Sequence, residues 1–127
     1  MTNDKAKLGV ISSGRGENLR YILRAEQEGW LPGRVAVVLA DQPEAGALRI
    51  AEEFSVCHEF VDPSGLTRLE YDRQLIDRLE QAGVDLVVLT GYMRILSPDF
   101  VRHFKNRILN IHPALLPSFR GLDAFSQ

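Results

Sequence analysis

Two kinds of hydrophobic pattern alternate along the chain. Residues 8–12 form a short apolar run around Leu8, Val10 and Ile11, closed by Ser13-Gly14-Arg15-Gly16. Such a run predicts a strand entering a glycine loop. From Asn18 onward Leu19, Ile22 and Leu23 recur at helical spacing among polar Arg20, Arg24 and Glu26, and the helix is predicted to stop by Gly29, ahead of the Pro32-Gly33 turn. Residues 35–40 are apolar throughout, as in a strand covered on both faces of a parallel sheet. Asp41 is placed to cap a second helix, with Pro43 in its first turn and Ala47, Ile50, Ala51 and Phe54 on one face. A weaker strand spans 56–61. Asp62-Pro63 is predicted to open a third helix that carries Leu69, Leu75, Ile76 and Leu79 inward and ends at Gly83. Residues 84–89 form a second clearly buried strand. Ser97-Pro98 caps a short helix holding Phe100, Val101 and Phe104, and a last strand, 108–111, runs into Pro113. Strands alternating with helices predict an open, mainly parallel α/β sheet with helices on both faces.

No repeat, low-complexity tract or linker divides the chain, so residues 1–127 are expected to form a single α/β domain, with 1–6 as a disordered leader. The composition, 45% apolar and 25% charged with ten glycines and six prolines, excludes collagen-like, disulfide-scaffold and largely disordered classes. Fifteen Lys and Arg stand against seventeen Asp and Glu, a formal charge of −2, so no global basic field exists to hold nucleic acid or an anionic membrane. The single Cys57 has no partner for an internal disulfide, the first seven residues lack the apolar core of a signal peptide, and no apolar run reaches membrane-spanning length. The expectation is a soluble, cytoplasmic domain.

Ligands of open parallel sheets bind beyond the carboxyl ends of the strands, which singles out the loops after Ser12, Leu89 and Ile111. In the first loop, Gly14 and Gly16 let backbone approach a ligand, and the following helix offers unpaired N–H groups to an anion. A phosphate, a dinucleotide and a plain turn all remain open. Leu19 occupies the place of the third glycine of a dinucleotide fingerprint, while Asp41 lies near the distance at which a ribose is held, or simply caps its helix. Glu17 would have to turn its side chain away from a phosphate while its N–H contributes.

In the last loop Asn110 and His112 share one face of the strand and Ile111 takes the other, so Leu109 and Ile111 are predicted to face the core. A histidine that moves a proton beside an amide that donates to an oxyanion suits attack of an amine on a carbonyl; a hydrogen-bonded strand-end histidine is the plain alternative. The segment Gly91-Tyr92-Met93-Arg94-Ile95-Leu96 either lines a slot for a flat ring or packs on the next helix. His58 and His103 read as surface or strand-end residues. No metal-ligand spacing, nucleophile elbow or Walker loop occurs, so no metal is expected.

Three motifs in this order, Gly14-Arg15-Gly16-Glu17-Asn18-Leu19, Tyr92-Met93-Arg94-Ile95-Leu96-Ser97 and Asn110-Ile111-His112-Pro113-Ala114-Leu115-Leu116-Pro117, closely resemble the phosphoribosylglycinamide formyltransferase family. The likeness runs from Lys7 to the end of the chain. It implies a Rossmann-like formyltransferase fold whose carboxyl-terminal strands are missing, and formyl transfer from 10-formyltetrahydrofolate, a cosubstrate, to the amine of glycinamide ribonucleotide. It further implies that Gly16, Glu17 and Asn18 hold the substrate phosphate and that Arg68, Met93, Arg94, Ile95, Leu96 and Asn110 line the folate site. Asn110 would stabilise the oxyanion and His112 would transfer the proton. The family's third catalytic group, an aspartate, lies beyond the point where this sequence stops at Gln127; Asp123 belongs to the preceding loop motif. The chain is therefore expected to be an amino-terminal portion with little activity alone.

Two other readings stay open. One is a relative that deformylates formyltetrahydrofolate or formylates another amine; an initiator tRNA is disfavoured by the charge of −2. The other is a non-catalytic nucleotide-binding module built on the glycine loop and Asp41. Arg15 and Arg120 either meet a phosphate or face solvent.

Overall fold

A computed structural model describes residues 6–14, 16–31, 33–92 and 94–111. The elements follow in the order β1 (Ala6–Ser12), α1 (Glu17–Gln27), β2 (Gly33–Ala40), α2 (Gly46–Glu53), β3 (His58–Phe60), α3 (Arg68–Gln81), β4 (Leu86–Thr90), α4 (Pro98–His103) and β5 (Ile108–Ile111). All pairings among these strands are parallel, in the order β3-β2-β1-β4-β5. The expected doubly wound architecture is present.

Strand alternation divides the core into two layers. On one face Ile11, Val37, Leu39, Val87 and Leu89 pack under Tyr71, Leu75 and Leu79 of α3 and Phe100 of α4. On the other, Leu8, Val10, Val35, Val38 and Val88 meet Leu19, Ile22 and Leu23 of α1 and Ala47, Ile50 and Ala51 of α2. Val35 and Val37 fall on opposite faces because the register with β1 shifts: Leu8 pairs with Val35, but Gly9 with Val37, leaving Ala36 as a bulge. Gly9 is required by close packing, since a Cβ there would lie 2.5 Å from Leu79 Cδ2.

Four expectations are corrected. Asp41 caps nothing; α2 begins at Gly46 behind the N-cap Ala45, and Asp41 instead accepts from Arg94. The third helix starts not at Asp62-Pro63 but behind Thr67, whose hydroxyl accepts from Glu70 N–H while the Glu70 carboxylate accepts from Thr67 N–H. Asp62 holds only a local turn, accepting from Ser64 N–H, which keeps its carboxyl below the usual range. Leu69 points outward, 43% exposed, because α3 buries the stripe of Tyr71, Asp72, Leu75 and Leu79. Leu109 is 49% exposed: β5 pairs only with β4 among the described residues, and Ile108 and Ile111 make its core contacts.

Candidate active site

The order β2-β1-β4 places the switch point of the sheet beside β1, because the chain leaves β1 toward β2 and later returns to the opposite side. Two clefts open at the carboxyl ends of the strands. They lie on the two faces of the sheet.

The first, about 400 Å³, is lined by Ser13, Gly14 and the segment Gln42, Pro43, Glu44, Ala45 and Gly46. Two helix N-termini meet beside it. Gly16, the N-cap of α1, has φ +90°, and a Cβ on it would come within 2.6 Å of Ala47 N and Cα at the start of α2. The first backbone bond of α1 runs from Arg20 N–H to Gly16 O, so the N–H groups of Glu17, Asn18 and Leu19 precede it without helical acceptors. Neither α1 nor α2 has a side-chain cap, whereas Thr67 and Ser97 cap α3 and α4. The two uncapped helix starts thus lie against each other beside one cleft, which Gly46 of α2 lines, an arrangement suited to an anion. Glu17 is exposed and Asn18 half-buried.

The second cleft, about 410 Å³, lies between α3 and the loop after β4 and is lined by Pro63, Leu66, Thr67, Arg68, Tyr71, Asp72, Arg94 and Ile95. Arg68, Arg94 and Ile95, singled out from the sequence, come together here; Leu96 is half-buried against the core beneath. Arg94 Nε donates to Asp41 Oδ2 at 2.7 Å, and its guanidinium stands 5.6 Å from the centre of the Tyr71 ring, within cation–π reach. Asp41 follows β2 and Arg94 follows β4, so the pair bridges the end of β1 and forms the crest between the clefts. The hydrogen bond that Arg94 donates to Asp41 holds its guanidinium more firmly protonated. Tyr71 donates to Val61 O at 2.8 Å, and burial pushes the phenols of Tyr71 and Tyr92 well above their ordinary range. Ser13 Oγ, Asp41 Oδ1 and Tyr92 OH are buried without hydrogen-bond partners among the described residues, and all three lie at this end of the sheet.

Asn110 is exposed near the end of β5, in register with Leu89 of β4, and so on the sheet face that carries the second cleft. His112, Met93, Arg15, Arg120 and Asp123 lie outside the described residues. Among those described, no group of three or more His, Cys, Asp or Glu is placed to hold a metal ion, and no helix is long and apolar enough to cross a membrane. A third hollow, between α3 and α4, is lined largely by charges already paired with one another, Arg73 and Arg102 with Asp99. Sequence reasoning missed Tyr71 and Asp72. The available signal was an acidic residue in helical phase with Leu75, Ile76 and Leu79, on the apolar stripe where a charge does not belong.

The dinucleotide reading loses its ribose holder here. Asp41's side chain is 3% exposed with one oxygen committed to Arg94, and Leu19 is fully buried.

Residues 6–127 match a family described as formyl transferase. The chain is 38% identical over 122 residues to the phosphoribosylglycinamide formyltransferase of Haemophilus influenzae, covering 95% of this chain and 58% of that protein. Identity to its Escherichia coli counterpart is 40% over 119 residues, 93% of this chain and 56% of that one. Glycinamide ribonucleotide transformylase 1 from Symbiobacterium toebii superposes with a TM-score of 0.81 at 41% identity, over 95% of this chain and 59% of that structure. The chain spans a little over half the length of these relatives.

Proposed function

Because the chain belongs to the formyl transferase family, we propose that the protein transfers a formyl group from 10-formyltetrahydrofolate to the amine of glycinamide ribonucleotide, a cytoplasmic step of purine synthesis. The observation that carries this reading is the pair of clefts meeting at one crest, one cleft suited to an anion and the other lined by Leu66, Tyr71, Arg94 and Ile95. The relatives named for this reaction support it. In this reading the substrate phosphate sits on the N–H groups at Gly16, Glu17 and Asn18, and the pterin lies against Arg94, Ile95 and Leu96, with Arg68 at the mouth. Met93 and His112 take their roles from the family resemblance alone.

The chemistry asks little of the protein beyond placement and charge. The amine lone pair attacks the formyl carbon, and the carbonyl electron pair moves onto oxygen. The Asn110 amide donates to that oxygen as its charge develops. When the carbonyl re-forms, the carbon–N10 bond breaks; the amine has lost one proton and N10 gains one, with His112 as the group that moves it. Holding both substrates across one crest turns a two-molecule encounter into a step between neighbours, which is where much of the acceleration in such reactions originates.

An Asn18→Asp variant tests the phosphate assignment with opposite signs on two readouts. A carboxylate in the first turn of α1 favours the helix by about 0.3–1 kcal/mol, so thermal stability should hold or rise. The same charge repels a phosphate, and calorimetric titration should show glycinamide ribonucleotide affinity falling at least about tenfold, with tetrahydrofolate binding unchanged. Unchanged ribonucleotide affinity in the variant would place the phosphate elsewhere.

A further inference from the structure

The loop between β4 and α4 carries Arg94 and Ile95 into the second cleft, and two buried carboxylates hold it, one at its midpoint and one at its end. Asp41 Oδ2 accepts from Arg94 Nε at 2.7 Å with its side chain 3% exposed. Asp72 Oδ2 accepts from Ser97 N–H at 2.6 Å, and Asp72 is 2% exposed. The carboxylates come from different places, the residue after β2 and the second turn of α3, so the loop is tied to two independent parts of the core.

Stability is a poor reason for this arrangement. Burying a carboxylate is costly, and here Asp41 meets a guanidinium that is 43% exposed and Asp72 a neutral N–H, so neither charge is matched by a buried countercharge. Nor does α4 need Asp72 as its cap, because Ser97 Oγ already accepts from Phe100 N–H. What the two anchors do supply is geometry. Between them Ile95 stands 74% exposed, an apolar side chain held out over the cleft instead of folded onto the core.

We infer that Asp41 and Asp72 are positioning residues of the second cleft, fixing the loop at Arg94 and at Ser97 so that Arg94 and Ile95, seated on Leu96, present a preformed wall to a flat ring. The inference rests on the folate reading of that cleft and adds residues that act through the loop and not by contact. Asp41 thereby gains a role that neither a helix cap nor a ribose holder describes.

Two measurements on Asp41→Ala and Asp72→Ala test it, with Asp41→Asn and Asp72→Asn as variants that keep an acceptor oxygen. Amide hydrogen exchange of the ligand-free protein should rise about tenfold or more at Arg94, Ile95 and Leu96 in the alanine variants, while β1 and β4 stay within about twofold. Calorimetric titration should show tetrahydrofolate binding weakened about tenfold and glycinamide ribonucleotide binding changed less than about twofold, with Asp72→Asn restoring most of the loss. Wild-type exchange and wild-type folate affinity in both alanine variants would overturn the inference. So would equal losses for the two ligands, which would mean general damage to the fold. A wild-type chain that takes up no tetrahydrofolate overturns the folate reading itself, and exchange at the three amides still decides whether the carboxylates hold the loop.

Discussion

Adding one methyl group at Gly16 should damage this protein more than the same change at Gly9 or Gly14. Gly16 has φ +90°, where an L-residue pays roughly 1–2 kcal/mol. The new Cβ would also lie 2.6 Å from Ala47 N and Cα and 2.8 Å from Gly46 C. These are backbone atoms of α2, which yield only if the helix itself moves, so overpacking adds about 1–3 kcal/mol. Together the Gly16→Ala cost is about 2–5 kcal/mol, against a total stability of order 5–15 kcal/mol. At Gly9 the clash is with the side chains of Leu79 and Val84 and φ is not positive, so only the overpacking contribution remains, about 1–3 kcal/mol. At Gly14 a Cβ meets nothing within 4 Å among the described residues, and the change should stay within about 0.5 kcal/mol. Urea unfolding of the three variants at 25 °C measures the series directly, provided the slope with denaturant is unchanged. A Gly16→Ala protein within about 0.5 kcal/mol of wild type, or a Gly14→Ala protein as damaged as Gly16→Ala, would refute the account of the loop, and with it the convergence of α1 and α2 on one cleft.

Two further outcomes follow from groups in and near the second cleft. Burial raises the phenols of Tyr71 and Tyr92 above their ordinary value of 10.0, so the unfolded chain releases these protons first. Stability is then intact below about pH 10 and falls above it by up to about 1.4 kcal/mol per pH unit for each tyrosine, and Tyr→Phe variants should flatten that fall in alkaline urea titrations. At pH 7 the two should differ: Tyr71→Phe loses its bond to Val61 O and costs about 1–3 kcal/mol, whereas Tyr92→Phe, with no partner among the described residues, should be close to neutral. Ser97→Ala removes the α4 cap and should cost about 0.5–2 kcal/mol by the same assay; no loss would mean that Asp72 alone holds the helix start.

The strands that sequence reasoning found most surely, β2 and β4, are those buried on both faces, where every position must be apolar and the pattern needs no phase. The errors came where a residue's partner is remote. Asp41 has the chemistry of a cap, but its carboxylate is taken by Arg94, 53 positions away, and nothing local records that. Asp62-Pro63 looked like a helix start, yet the reciprocal bonds of Thr67 and Glu70 are the stronger signal, and they begin the helix at Arg68. Alternation predicts Leu109 inward, and it holds only where a layer covers both faces of the strand. Of the candidate site, the glycine loop and the segment at Arg94 were legible because they are contiguous in sequence. Asp72 was not, because its meaning depends on Ser97, 25 residues further on.

The place of β1 has a consequence for how the protein comes into being. β1 is the middle strand of the described sheet and the earliest in the chain, and the bond from Lys7 N–H to the Asp85 carboxylate joins its start to a residue 78 positions later. At ribosomal speeds of about 5–20 residues per second, that neighbour is synthesised roughly 4–16 s after β1. During that interval β1 can pair with β2, but the backbone groups of its other edge, which end paired with β4, stay bare. Closing β4 onto this waiting edge is a non-local step that local helix formation cannot hasten. The strand that ends deepest in the protein is therefore the one exposed longest while the chain is being made.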